Sequence, residues 1–250
     1  MFLQNAISKR INDNNPVKVA LIGAGKFGSM FLSQVPSTLG IEVLVIADLK
    51  PDNAVKACKN VGWSDDLINK TKFVDRGTDA IKLNEVEVVI EATGFPAAGI
   101  EHARQAFQNG KHIIMVNVEA DVLAGAALVK EANSAGVVYS MAYGDQPALT
   151  AEIVEWARAS GFNVTSAGKG TRYQPIYHKS SPDTVWDYYG LTHEEAKKAG
   201  MNPKMFNSFL DGTKSGLEMA AIANACDLDV PTNGLLFPPC GMDDLANVLK

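Results

Sequence analysis

The stretch from Val17 to Asp48 constrains this chain more than any other. A hydrophobic run from Val17 to Ile22 breaks into Gly23-Ala24-Gly25-Lys26-Phe27-Gly28, and an apolar helical segment with Met30, Phe31, Leu32 and Val35 follows. A second hydrophobic run, Ile41 to Ala47, ends at Asp48, 20 positions after Gly28. Strand, glycine turn, helix, strand and acid, in that order, are the fingerprint of a dinucleotide-binding βαβ unit. Gly23 permits the tight turn out of the strand, Gly25 has no Cβ to keep a pyrophosphate away, and Gly28 lets the helix lie close on the sheet. The helix N-terminus presents unpaired N–H groups and the positive end of its dipole to the phosphates. Residues Gly23, Ala24, Gly25, Lys26, Phe27 and Gly28 are therefore candidate cofactor contacts, and Asp48 is the candidate acceptor for a ribose hydroxyl. The alternative reading is a glycine-rich turn in another kind of α/β protein.

The segments that follow keep the same rhythm. A helix is expected from Pro51 to about Asn60, a short strand over Thr71 to Val74, and a short helix over Asp79 to Leu83. Val86 to Ile90 reads as a strand running into Glu91-Ala92-Thr93-Gly94, Ile100 to Asn109 as a helix, and His112 to Val116 as a strand ending at Asn117. A helix over Ala124 to Ala135, a strand over Val137 to Met141, a helix from Asp145 to Ser160 and a strand over Phe162 to Ala167 complete the series. Buried strands alternating with amphipathic helices imply a parallel sheet with right-handed crossovers, and such sheets bind ligands beyond the carboxyl ends of their strands. Gly23, Asp48, Thr93, Gly94 and Asn117 all fall at those ends, so Thr93, Gly94 and Asn117 join the candidate cofactor set.

Charge and cysteine content narrow the function classes. With a net charge of −5, 20% charged residues and no general basicity, the chain has no nucleic-acid signature. Cys58, Cys226 and Cys240 lie far apart and form no CxxC pair, which points to a reducing compartment and to no metal knuckle. The first fifteen residues are polar and lack the apolar core of a signal peptide, although Phe2, Leu3, Ile7 and Ile11 would share one face of a short helix. No run reaches membrane-spanning length. The expectation is a cytoplasmic protein with no nucleic-acid or membrane partner.

From Gly168 the texture changes. Residues 168–190 are rich in Gly, Pro, Tyr and Ser with little periodicity, as in functional loops. No acidic residue occurs between Glu155 and Asp183, a window that holds Arg158, Lys169, Arg172, His178 and Lys179. A positive cluster on an irregular segment points to an anionic substrate, carboxylate or phosphate; a solvated basic loop is the plain alternative. Thr192 is the expected cap of a helix running to Ala199. Downstream, Asp211 and Gly212 form a turn before an apolar helix over Gly216 to Cys226, and Lys214 and Glu218, four apart, share a helical face. A lysine whose pKa is lowered by burial could protonate the alkoxide formed by hydride transfer, with a carboxylate to orient it. A helix-surface ion pair is the other reading.

Four runs (Gly23 to Gly28, Glu91 to Gly94, Gly110 to Asn117 and Gly144 to Pro147) resemble the homoserine dehydrogenase superfamily. The runs Gly168 to Tyr173, Ser181 to Trp186 and Phe206 to Lys214 resemble its branch of deoxyxylulose-phosphate-reductoisomerase-like enzymes. The resemblance implies an α/β fold, a Rossmann-type doubly wound parallel sheet over residues 1–167, with a smaller α+β substrate and dimerisation region over 168–250. It implies an NAD(P)-dependent oxidoreductase, and the residues read above are the candidates for its roles: Lys214, Lys169, Asp211 and Glu218 in catalysis, and Arg172, His178 and Lys179 in holding a small anionic substrate. It also implies a homodimer or higher homo-oligomer; the apolar helix after Gly216 is a candidate contact surface, with core packing as the other reading. Relatives on this branch carry a further C-terminal domain, so the chain reads as part of a longer protein.

The sequence departs from the homoserine dehydrogenases at Val118, where they carry a lysine, and at Lys214 and Glu218, where the charges are exchanged. It also has none of the Asp-Ser-Glu metal motif of the ordinary reductoisomerase, and no metal ligand is assigned. Asp48 favours NAD because a carboxylate repels a 2′-phosphate; Lys50 and the reductoisomerase branch favour NADP, and the balance leans to NADP. Two alternatives stay open: an amino-acid semialdehyde reductase of the homoserine dehydrogenase type, and a non-catalytic nucleotide-binding regulator.

Overall fold

The computed structural model describes residues 2–249, and the chain divides into two compact units, Met1–Ala142 and Tyr143–Lys250. In the first unit, α1 (Phe2–Asn12) leads into β1 (Val17–Ile22), and α2 (Lys26–Gln34) follows the glycine turn. Ile7 and Ile11 lie against Gly40, where the backbone has φ +86 and an added Cβ would sit 3.0 Å from Ile7 Cγ2. The side chains of Phe2 and Leu3 fall outside the described part. Next come β2 (Ile41–Ala47), α3 (Pro51–Asn60), α4 (Asp65–Lys70), β3 (Lys72–Val74) and α5 (Gly77–Ile81). The unit closes with β4 (Val88–Glu91), α6 (Pro96–Gln108), β5 (His112–Met115), α7 (Val118–Ser134) and β6 (Tyr139–Met141).

The six strands form one sheet in the order β3-β2-β1-β4-β5-β6, every pairing parallel. This is the doubly wound arrangement, and its strand order reverses between β1 and β4. Alternate residues of each strand enter two separate cores. Ala20, Ile22, Val45, Ala47, Val89 and Ile113 pack with Ala103, Ala106, Phe107 and Leu128 of α6 and α7. Val19, Leu21, Val43, Ile46 and Ile90 pack with Leu32, Ala54, Cys58 and Trp63 on the other face. Coverage on both faces is why the strands read as unbroken hydrophobic runs rather than alternating ones. Trp63 is buried there and donates its indole N–H to the Leu32 carbonyl at 2.7 Å.

The helix expected over Ala124 to Ala135 starts six residues earlier, at Val118, because the Asn117 side chain accepts the Ala120 N–H at 3.1 Å and caps it. The segment Phe162 to Ala167 is not a strand. Val164 and Ala167 instead pack beside Val154, Ile222 and Cys226 of the second unit, so no sheet neighbour takes up their backbone. The boundary between the compact units falls at Ala142/Tyr143, and Val154 of the helix before Phe162 packs with Ile222 and Cys226 within the second unit.

The second unit comprises α8 (Gln146–Ala159), α9 (Val185–Tyr189), α10 (His193–Lys198), α11 (Pro203–Leu210), α12 (Thr213–Cys226) and α13 (Leu245–Val248), joined by irregular segments. Thr192 and Glu195 form a complete capping box at α10. Val185 and Trp186 of α9 pack with Ala196 of α10 and Phe206 of α11. The apolar face of α12 is spent inside the unit, with Ile222 and Cys226 against Val154 of α8. Arg158, one of the basic residues of the acid-free window, donates to the Cys226 carbonyl at 2.6 Å and closes the C-terminus of α12. No described helix is long and apolar enough to cross a membrane.

Candidate functional site

Two features stand out, one in each unit. The first is the β1–α2 turn at the point where strand order reverses. Gly23 has φ +97, and a Cβ there would sit 2.7 Å from the Ala92 carbonyl oxygen at the end of β4. At Gly28 a Cβ would come within 2.3 Å of the Gly23 carbonyl oxygen, so the helix can approach the turn only without a side chain. Gly25 differs. It is exposed, it is the N-cap of α2, and a Cβ there would meet no atom within 4 Å. Nothing in the protein requires glycine at that position, whereas a pyrophosphate resting on the turn would. No side chain caps α2, which leaves its N-terminal N–H groups and dipole for an anion. Lys26 and Phe27 are exposed beside it.

Asp48 stands at the end of β2. Its Oδ2 accepts the Ala24 N–H at 3.2 Å and its Oδ1 accepts the Lys50 N–H at 3.0 Å. Two backbone amides thus fix the carboxylate beside the glycine turn. This cradle fits a dinucleotide: phosphates on the α2 terminus and Gly25, and ribose hydroxyls at Asp48.

At the ends of β4 and β5, Thr93 and Gly94 are exposed, but Asn117 is 2% exposed. Its Nδ2 donates to the Phe95 carbonyl at 3.0 Å and to Thr93 Oγ1 at 3.4 Å, while its Oδ1 holds the Ala120 N–H. Asn117 therefore ties the β4–α6 loop to the start of α7 and presents no polar atom of its own outward. The sequence placed it as a cofactor contact; the structure makes it a brace for that loop.

The second feature is a cavity of about 340 Å³ inside the second unit. Asp145 and Gln146 from the start of α8, and Lys214, Ser215 and Glu218 from the first turns of α12, form much of its wall. Lys169, Thr171 and Phe209 complete it. Glu218 is 2% exposed. Lys169 Nζ contacts Glu218 Oε2 directly, and Lys214 Nζ lies 3.6 Å from Glu218 Oε1. Lys169 and Lys214, 45 residues apart in sequence, thus converge on one buried carboxylate. Burial lowers the pKa of Lys169 below the usual lysine range, the Lys214 ammonium lowers it further, and Asp145 opposes the shift.

The other sequence candidates lie elsewhere in the unit. Asp211 is not in the cavity wall: its Oδ1 accepts the Thr213 N–H at 2.9 Å and the Thr213 hydroxyl at 2.7 Å, and its Oδ2 accepts Asn207 Nδ2 at 2.8 Å. That carboxylate organises the α11–α12 turn. His178 Nδ1 faces the Asp211 carbonyl at 2.9 Å, and its ring lies edge-on to Tyr173 and Phe237. Arg172 and Lys179 are exposed and line no part of the cavity. Asp145, Gln146 and Ser215 escaped the sequence reading because each looks like an ordinary helix-start residue.

Among the described residues, no group of three or more His, Cys, Asp or Glu side chains is placed to hold a metal ion. The comparisons with known proteins divide the chain where the fold does. Residues 23–142 match the family described as homoserine dehydrogenase, NAD binding domain, and residues 144–250 match oxidoreductase DRL, catalytic domain. No curated protein matches the chain in sequence. Among solved structures, a homoserine dehydrogenase from Thiobacillus denitrificans is similar at 18% identity and TM-score 0.56, over 87% of this chain and 50% of that one. A DOX-P reductoisomerase in complex with magnesium is similar at 18% identity and TM-score 0.58, over 86% of this chain and 58% of that one. At these identities the likeness is one of fold, and the chain spans about half the length of the structures it matches. The two family matches thus lie end to end along the chain, an NAD-binding domain of the homoserine dehydrogenase kind followed by a catalytic domain of the oxidoreductase DRL kind.

Proposed function

We propose that this chain reduces the carbonyl of a small anionic substrate, phosphorylated or carboxylated, at the expense of a reduced nicotinamide dinucleotide. The observation that carries the reading is the convergence of Lys169 and Lys214 on the buried Glu218, inside a cavity of the catalytic segment. The dinucleotide, when bound on the β1–α2 turn, supplies hydride. Lys169 supplies the proton to the oxygen of the carbonyl being reduced, because it sits against the buried Glu218 and burial presses its pKa downward. The sequence alone gave that role to Lys214. Glu218 orients the Lys169 ammonium. Lys214 holds the anion together with the N-terminal turns of α8 and α12, whose dipoles favour negative charge. Lys169 and Lys214 are offset in charge by Glu218 and Asp145, so the two helix ends tip the balance toward an anion.

For the cofactor, the reductoisomerase branch favours NADPH. Asp48, held by two amides, opposes a 2′-phosphate, and the exposed Lys50 two residues later offsets part of that repulsion. Any association between copies would use a surface other than the buried face of α12.

The test is the loss of absorbance at the reduced nicotinamide band, with NADPH and NADH side by side, against a panel of phosphorylated ketoses and amino-acid semialdehydes. Turnover is expected on phosphorylated ketoses. Dinucleotide binding without turnover on any member, using the longest natural chain that contains this sequence, would support the non-catalytic regulator instead.

A further inference from the structure

Glu91, at the end of β4, is 0% exposed, and one of its oxygens, Oε2, is buried with no hydrogen-bond partner. A fully buried carboxylate with an idle oxygen is costly, and such departures from good packing chemistry concentrate at functional sites. Its other oxygen is heavily used. Oε1 accepts the Thr93 hydroxyl at 2.5 Å and faces His102 Nδ1 of α6 at 3.2 Å.

The consequence lies in the direction of these bonds. Thr93 donates its single hydroxyl proton to Glu91 Oε1. The lone pairs of Thr93 are then left to accept the Phe95 N–H at 3.3 Å and Asn117 Nδ2 at 3.4 Å. Glu91 thereby fixes the polarity of a chain running from Asn117 through Thr93, and with it the conformation of the exposed loop Thr93–Phe95. That loop lies where strand order reverses, and the Ala92 carbonyl before it backs onto Gly23 of the glycine turn. With ribose hydroxyls at Asp48 beyond β2 and phosphates at the α2 terminus, the other end of a bound dinucleotide extends over β4.

We propose that Glu91, acting through Thr93, is the positioning residue for the nicotinamide half of the cofactor. Being buried, it does not touch the ring; it shapes the loop on which the ring rests. The inference depends on the dinucleotide reading of the β1–α2 turn.

Calorimetric or fluorescence titration with two probes separates this role from a general structural one. NADH carries both halves of the cofactor and ADP-ribose lacks the nicotinamide; NADPH and 2′-phospho-ADP-ribose replace them if the phosphorylated cofactor binds better. Glu91→Gln, which can donate as well as accept, and Thr93→Val should each weaken the dinucleotide about tenfold, the size of one misdirected hydrogen bond, and leave the ADP-ribose probe within about twofold. Thr93→Ser keeps the hydroxyl and should restore wild-type affinity for both. Thr93 is exposed, so its variants report even if Glu91→Gln folds poorly. Equal weakening of both probes, or no change in either, overturns the proposal while leaving the dinucleotide site standing. Failure of the unaltered protein to bind either probe overturns the site and this inference together.

Discussion

Replacing Lys169 with Ala is expected to lower kcat about a thousandfold, within the range of ~10²–10⁴ that a positioned acid contributes, with dinucleotide affinity unchanged. The pH dependence should identify the group. The pKa of Lys169 lies below its usual 10.5 because burial and the Lys214 ammonium both disfavour its charged form. Carbonyl reduction requires the protonated form, so kcat should fall as pH rises through that lowered value, and the reverse oxidation should rise through the same interval. Lys214→Ala removes one of the two causes of the lowering, so the falling limb should move to higher pH, in addition to any loss of substrate affinity. Steady-state rates of both variants across the alkaline range check this. Wild-type kcat in Lys169→Ala, or an unmoved limb in Lys214→Ala, would take the proton-transfer role away from Lys169.

The second large effect is expected in the fold. Gly28→Ala places a methyl group 2.3 Å from the Gly23 carbonyl oxygen, a backbone atom that cannot swing aside. The start of α2 must shift from the sheet at a cost of about 3 kcal/mol, the upper end for overpacking. Thermal unfolding followed by circular dichroism should then show a midpoint lowered by roughly 10 °C. A midpoint within about 2 °C of the parent, a shift of under about 1 kcal/mol, would mean that α2 does not need that close approach.

What the sequence made legible follows from how each feature is encoded. Strands such as Val17–Ile22 and Ile41–Ala47 are buried on both faces and announce themselves as hydrophobic runs, and the glycine turn between them has a fixed spacing. Phe162 to Ala167 carries the alternation expected of a strand, yet Val164 and Ala167 pack into the core formed with α12 and the residues between them are exposed. Only the tertiary partner distinguishes the two cases. The pair Lys214 and Glu218 was visible because i and i+4 share a helical face; the arrival of Lys169 at the same carboxylate was not, since no local rule links residues 45 positions apart. Asp211 was picked for its place beside a glycine turn, and that turn is where its hydrogen bonds go. Glu91 opens one of the runs that carry the resemblance, yet nothing in a sequence shows that a carboxylate at a strand end is buried beside a helix.

A pyrophosphate lying against the backbone at Gly25 is the central claim, and Gly25→Ala probes that contact with little disturbance elsewhere. A Cβ there meets no protein atom within 4 Å, so the only structural cost is a less favourable helix cap of about 1 kcal/mol or less. Titrating parent and variant with NADPH and NADH should show the variant binding at least about tenfold more weakly, more than that cap can explain. Equal affinity in the two proteins would mean that the phosphates do not rest on this turn.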